Sequence, residues 1–395
     1  MNSASVFVHP SFTYVRTIFG VLFLLGCLLV PSSSHAQEKT DGSTYERARV
    51  LRTESTTRTT SGTTEQVHLS TLRFLSGPLK GQEREIAEGI GSNPYQIRLN
   101  EGNTVVVLMQ PTEDGRDWEL FIEGFDRRWP IIILILLFVL TLVLLAGWQG
   151  FKVALSIGIS LALIGYVLIP AFLQGINPVP VAIVLGGVFT LLSCGLSSGW
   201  NKKAVVTAVG TMGGALIAYA LSVVFVHFTH LSGLSTEEDR LFFQKNPTLN
   251  PRGLLFAGII IASAGALEDV AVSIVSGISE VHKHNPRLGF RALTLSGIAI
   301  GRDHMSALAN TLVYAYVGAS LSTLLLYKQF DASWLKFINF DTVVNEIIRS
   351  LCGTIGLVFT VPITALLTGW VVSRESWKDD TRISSTHTHT HQKNV

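Results

Sequence analysis

Charge is scarce in this chain. Asp, Glu, Lys and Arg supply 15% of its 395 residues and apolar side chains 48%, whereas a soluble globular domain carries about 25% charged residues. The formal net charge is only +2. No basic patch with interleaved aromatics appears, so nucleic acid is not indicated as a partner. Cysteine is nearly absent. Cys27, Cys194 and Cys352 all lie in apolar runs, which argues against a disulfide framework or a cysteine metal site. HExxH, GxSxG and P-loop patterns are missing as well. The sequence therefore names no catalytic residue, no metal site and no cofactor.

Long apolar runs take the place of what is missing, and the mean hydropathy is +0.41. Near the amino terminus Arg16 precedes the run 18–30, and Ser34-His35-Ala36 fits a small-x-small cleavage site. Residues 1–36 read first as a signal peptide, then as an uncleaved anchor. The partial lipobox at 24–27, with lipidation of Cys27, is the third choice.

Residues 37–128 are polar and read as a small extracytoplasmic β domain. Thr and Ser crowd positions 53–65, the composition of a linker or a hairpin loop. Residues 95–99 alternate apolar and polar like a half-buried strand. The turn Glu101-Gly102-Asn103 leads into a β-branched run at 104–108, and Glu113-Asp114-Gly115 is a second turn before 118–122. A barrel or sandwich of about five strands is expected. A spacer or docking role is the plainer reading, and a protein partner would dock here.

From Trp129 the chain becomes a membrane α-helical bundle of about seven transmembrane helices, at 129–147, 153–173, 179–196, 204–228, 253–275, 306–326 and 347–371. Each approaches or exceeds the roughly 20 residues that cross hydrocarbon. The transmembrane domain covers 129–372, and 373–395 form a cytoplasmic tail. Lys152, Lys202, Lys203, Lys283, Arg287 and Arg291 then fall on one side with that tail, which the positive-inside rule makes the cytoplasm; Arg127 and Arg128 fall on the wrong side. Residues 290–301 fit three conformations: along the inner surface, re-entrant, or a partial eighth span. Trp129, Trp148, Trp200 and Trp370 near span ends read as interface anchors. Pro362 reads as a kink, and His387, His389 and His391 as a solvated tail.

The candidate site lies where ionisable residues enter these runs. Glu268, Asp269, Arg302, Asp303 and Asn310 sit within or beside apolar sequence. A charge at the centre of a bilayer costs roughly 3 kcal/mol or more, so such residues mark a partner, a pathway or a function. In the fifth span Gly258, Ala262, Gly265, Asp269, Ser273 and Ser276 recur every three or four residues, one face of a helix. In the sixth, Asp303, Ser306, Asn310 and Tyr314 do the same. The plain alternative is a buried polar network that only holds helices together.

Residues 75–81 (LSGPLKG), 210–214 (GTMGG), 265–276, Gly301-Arg302-Asp303, Asn310-Thr311-Leu312, 315–318 (AYVG) and 353–356 (GTIG) occur in this order. Together they resemble the YibE/F family of bacterial multipass membrane proteins, across the extracytoplasmic domain and the whole membrane region. The resemblance implies a plasma-membrane protein supposed to be a transporter, with an Asp at position 269. Glu268 departs from its pattern, which has an apolar residue there, and Ser306 stands where Gly is commoner.

Two functional classes follow. The first is a permease for an unknown small solute or ion, with Asp269, Asp303, Asn310, Arg302, Ser273, Glu268 and Tyr314 along a polar seam between spans five and six. The second is an intramembrane aspartyl protease, whose usual Gly-x-Gly-Asp is replaced here by Gly301-Arg302-Asp303. A non-transporting partner protein is the third reading. Topology is testable directly. Reporters active on one side of the membrane should signal outside when fused after Gln37 or Asp239, and inside after Lys203 or Val395. An outside signal at Val395 would show that the span count is wrong.

Overall fold

The computed structural model describes residues 43–60, 63–89, 99–112, 117–329 and 333–374. The expected signal segment, most of the strand expected at 95–99 and the histidine tail lie outside these residues. The chain divides into two compact units, 1–144 and 145–395.

The first unit holds one antiparallel sheet of five strands: β1 (Thr44–Thr60), β2 (Thr63–Phe74), β3 (Glu83–Gly89), β4 (Thr104–Pro111) and β5 (Trp118–Phe125), in the order β3-β2-β1-β4-β5. The Thr-rich stretch is no linker. Its residues pair from Thr53↔Ser70 to Thr60↔Thr63 as the far end of the β1–β2 hairpin, in keeping with the preference of β-branched Thr for strands. Alternation buries one face, with Ala48, Val50, Leu72, Phe74, Val105, Val107 and Met109 forming the core. The turn at 75–81 is fastened to β1: Leu75 N–H donates to the Arg47 carbonyl at 2.7 Å, and Arg47 N–H to Ser76 Oγ at 3.0 Å. Gly77, at φ +77°, lies against the Glu46 side chain, where a Cβ would collide.

Where β5 ends, Asp126 is gripped by Arg128. Nε donates to Oδ1 and Nη2 to Oδ2, both at 2.8 Å, and the Asp126 side chain is only 4% exposed. That forked hydrogen bond holds the Asp126 carboxyl below its usual range against the opposing effect of burial, and Arg47, 3.9 Å away, adds to it.

Helix α1 (Arg128–Leu163) begins at this point and continues through a π-helical turn (Ile164–Leu168) into α2 (Ile169–Leu173). The wide turn is explained by Pro170: its nitrogen cannot donate, and the ladder shifts so that Ile169 N–H bonds to the Ile164 carbonyl. These 46 residues would reach about 70 Å as one helix, against hydrocarbon about 30 Å thick. Gly147 breaks them, at φ 58° and ψ −135°, a conformation that favours glycine.

In the second unit α3 (Pro178–Ser198), α4 (Lys202–Phe228), α6 (Pro251–His284), α7 (Phe290–Ala319) and α10 (Asp341–Arg374) pack together, while α5 (Glu237–Lys245), α8 (Leu321–Gln329) and α9 (Trp334–Ile338) are short. Among the described residues, the α1–α2 run, α3, α4, α6 and α10 are five stretches long and apolar enough to cross a membrane. The boundary expected for the sixth span is corrected. Residues 290–319 are one helix, and the chain turns at Ser320 before α8, so 306–326 is not a single element. Residues 290–301, left open among three conformations by the sequence, form the first part of this helix, with Gly297 and Gly301 packed against Ile278 and Ile274 of α6. Helix α10 continues through Pro362, and α5 starts with a Thr236–Asp239 capping box.

Helix backbones approach closely where α4 crosses α10. A Cβ on Gly214 would lie 2.8 Å from the Gly356 carbonyl oxygen and 2.7 Å from Leu267, and one on Gly356 would lie 2.8 Å from Ala218. Among the described residues the hydroxyls of Thr364, Thr294 and Ser263 have no hydrogen-bond partner; they face Gly210, Gly369 and Gly353, the arrangement of a weak Cα–H···O contact. Helix α6 packs against α3, α4, α7 and α10, and Leu267, Val270, Ile274 and Ile278 join Leu293, Leu357, Val361 and Ala365 in the core.

Two outcomes are expected. Overpacking costs about 1–3 kcal/mol, so Gly214→Val should lower the thermal midpoint in detergent. Gly265→Val, into open space, should stay within about 0.5 kcal/mol of the parent; equal losses would show that the crossing is not the constraint. For Asp126, whose folded value is depressed, the stabilisation is present above the unfolded carboxyl value of ~4 and disappears as pH falls through the folded one. The protection of β4 amides against hydrogen exchange, corrected for intrinsic rates, should therefore fall below pH ~4 in the parent and depend less on pH in Asp126→Asn.

Candidate functional site

Helix α6 is covered on most of its circumference, and the polar stripe is what remains open. Ala262, Gly265, Asp269 and Ser276 are exposed, with Gly258 and Ser273 half-buried. A Cβ at Gly258 or Gly265 would meet nothing. The Asp269 side chain makes no ion pair or hydrogen bond among the described residues, and the Ser273 hydroxyl donates to the Asp269 backbone carbonyl at 2.8 Å.

On α7, Arg302, Asp303, Ser306 and Asn310 are exposed, and Tyr314 is 71% exposed. Gly301 is different. Val361 and Ile274 would lie 2.6 Å and 2.8 Å from a Cβ there, so its role is close packing. Leu293, Gly297, Gly301, Met305, Leu308 and Leu312 follow each other every three or four residues into the core. At about 100° per residue, Asp303 falls on the far side of α7 from Met305.

Two contacts set the relative height of α6 and α7: Gly297 on Ile278 and Gly301 on Ile274. Continued along both helices, this antiparallel register levels Asp269 with Ser306 and Asp303 with Val272. The two acids thus share a depth to within about one turn. They do not share a contact: no hydrogen bond or ion pair joins Asp269, Asp303, Arg302 or Asn310 among the described residues. The hydroxyls of Ser306 and Thr311 donate to carbonyls of their own helix, at 3.4 Å and 3.1 Å.

Glu268 is placed otherwise. It turns toward α3, where the Cys194 thiol donates to Oε1 at 3.9 Å and the Thr190 and Ser193 side chains stand beside the same carboxyl. Thr207 of α4 reaches Cys194 from behind. The residues around Glu268 were missed in the sequence, although Gly186, Thr190 and Cys194 repeat every four residues and so share a face. Among the described residues no three His, Cys, Asp or Glu side chains form a group able to hold a metal ion.

A separate cavity of about 280 Å³ opens between α7 and α10. Val313, Val317, Leu324, Val343, Ile347 and Leu351 give it an apolar lining with Glu346 at one side, and Glu346 pairs with Arg349 at 3.3 Å. None of the seven residues predicted for the polar seam lines it.

Apolar helices of membrane-spanning length, packed glycine to glycine and carrying acids at one depth, define a multispan membrane protein. Residues 134–374 match the family of YibE/F-like proteins, and the chain belongs to that family. The matched range begins after the sheet, so the motif at 75–81 lies outside it. Comparison with curated proteins and with solved structures gives no match.

Proposed function

We propose that this protein is a permease of a bacterial plasma membrane, exported by its amino-terminal signal, with the sheet domain outside and the carboxyl terminus inside. The observation behind this reading is the pair of unpartnered acids at one depth on neighbouring helices. An intramembrane charge with no partner among the described residues points to a ligand, and two carboxylates attract a cation or a cationic group. Seven spans follow if α1 is divided at Gly147 and counted with α3, α4, α6, α7 and α10. The arginines on the wrong side weigh less once Arg128 is paired with Asp126. An aspartyl protease would need its acids close enough to share a proton, and Asp269 and Asp303 make no hydrogen bond to each other.

The unpaired state of both acids separates function from scaffolding. Because neither substitution strands a partner, Asp269→Asn and Asp303→Asn should each leave purified yield and thermal midpoint within about 0.5 kcal/mol of the parent. Each should also reduce flux at least tenfold in proteoliposomes tested with a panel of cations and cationic solutes. A stable Asp269→Asn protein with full flux would refute the proposed seam.

A further inference from the structure

Glu268 is the acid that the open stripe does not use. It precedes Asp269 by one residue, which turns its side chain about 100° around α6, away from the stripe and onto α3. Around its carboxyl stand the Cys194 thiol, 3.9 Å from Oε1, and the hydroxyls of Thr190 and Ser193. Thr190 and Cys194 are buried and Glu268 is half-buried. Behind Cys194, the Thr207 hydroxyl donates to the Lys203 carbonyl at 2.9 Å, in the first turns of α4. The titratable groups beside Glu268 are Cys194 from α3 and Asp269 on its own helix, and among the described residues no basic side chain is bonded to it.

A carboxyl in such surroundings needs a neutralising ligand. A metal cation would require a cage of several oxygens, which transporters build from unwound backbone. Here α3 and α6 are regular, their carbonyls are used within the helices, and the Thr190 hydroxyl is already shared with the Gly186 carbonyl at 3.2 Å. A proton asks for no cage, and hydroxyl neighbours can donate to the carboxylate or accept from the acid.

We propose that Glu268 is a proton-binding site between α3 and α6, coupled to the open stripe through its bond neighbour Asp269. A positive charge bound at Asp269 relieves repulsion on an ionised Glu268 and favours release of its proton; protonation of Glu268 weakens cation binding at Asp269 by the same factor. The coupling rests on the permease reading, whereas the proton site does not.

Infrared pH-difference spectra of the purified full-length protein in lipid nanodiscs, with no solute added, test the assignment. A protonated-carboxyl band that vanishes as pH rises should be present in the parent and in Asp269→Asn, absent in Glu268→Gln, and shifted in Thr190→Val. A band that survives Glu268→Gln, or one that sodium removes at constant pH, would overturn the proposal. Should Glu268→Gln fail to fold, a band unmoved in both Thr190→Val and Cys194→Ala would overturn it equally. Absence of flux with the band present refutes the permease and leaves the proton site standing. Flux with an unchanged pH profile in Glu268→Gln refutes the coupling of Glu268 to the stripe and leaves the permease.

Discussion

The helical unit is organised by a backbone-to-backbone crossing of α4 and α10. Gly214 and Gly356 each occupy space that a methyl group would fill with a clash, and Thr360 and Thr364 cover the glycines of α4. Between helices in lipid there is no hydrophobic drive, because acyl chains are as apolar as leucine, so close contact must supply the attraction. Glycine removes the side chains that keep backbones apart, and a hydroxyl then lies over the exposed Cα–H. The same device recurs at Gly369 with Thr294 and at Gly353 with Ser263. Unpartnered buried hydroxyls, elsewhere a cost, serve here as contact surfaces.

This crossing determines where the acids lie. With α3, α4, α7 and α10 around it, α6 has one open strip, and that strip carries Asp269. One residue earlier, Glu268 has no such freedom and enters the contact with α3. Helix α7 is held at Gly297 and Gly301, which fixes the height of Asp303 without bringing it to Asp269. Two adjacent carboxyls therefore have different environments, one open to whatever covers the strip and the other half-buried among neutral polar groups of α3. Separating two acids in this way is how proteins give similar groups different tasks.

The sheet depends on none of this. Its core comes from alternation on five short strands, and its exit is secured by the fork between Arg128 and Asp126. A local ion pair thus accounts for an arginine that loop-charge counting finds misplaced.

Much of this was legible in the sequence because it follows from local rules. Hydropathy over about 20 residues announces helices for a membrane, turn signals before apolar runs announce β4 and β5, and period-four spacing placed Asp269 and Asp303 on polar faces. The motifs from 210 to 356 were sufficient to indicate the family. Spacing along one helix does not say which neighbour occupies which side, so Gly265 and Gly301 read alike although one is open and the other closed by Val361 and Ile274. The helical state of 290–301 depended on contacts with α6 that are not local, and the break at Ser320 moved the end of that helix. Glu268 was the clearest case. In sequence it was an irregularity beside Asp269, and only packing against Thr190, Ser193 and Cys194, more than seventy residues away, made it the centre of a site of its own. Periodicity determines the face a residue occupies on its own helix; what that face touches is decided by the assembly of the other helices.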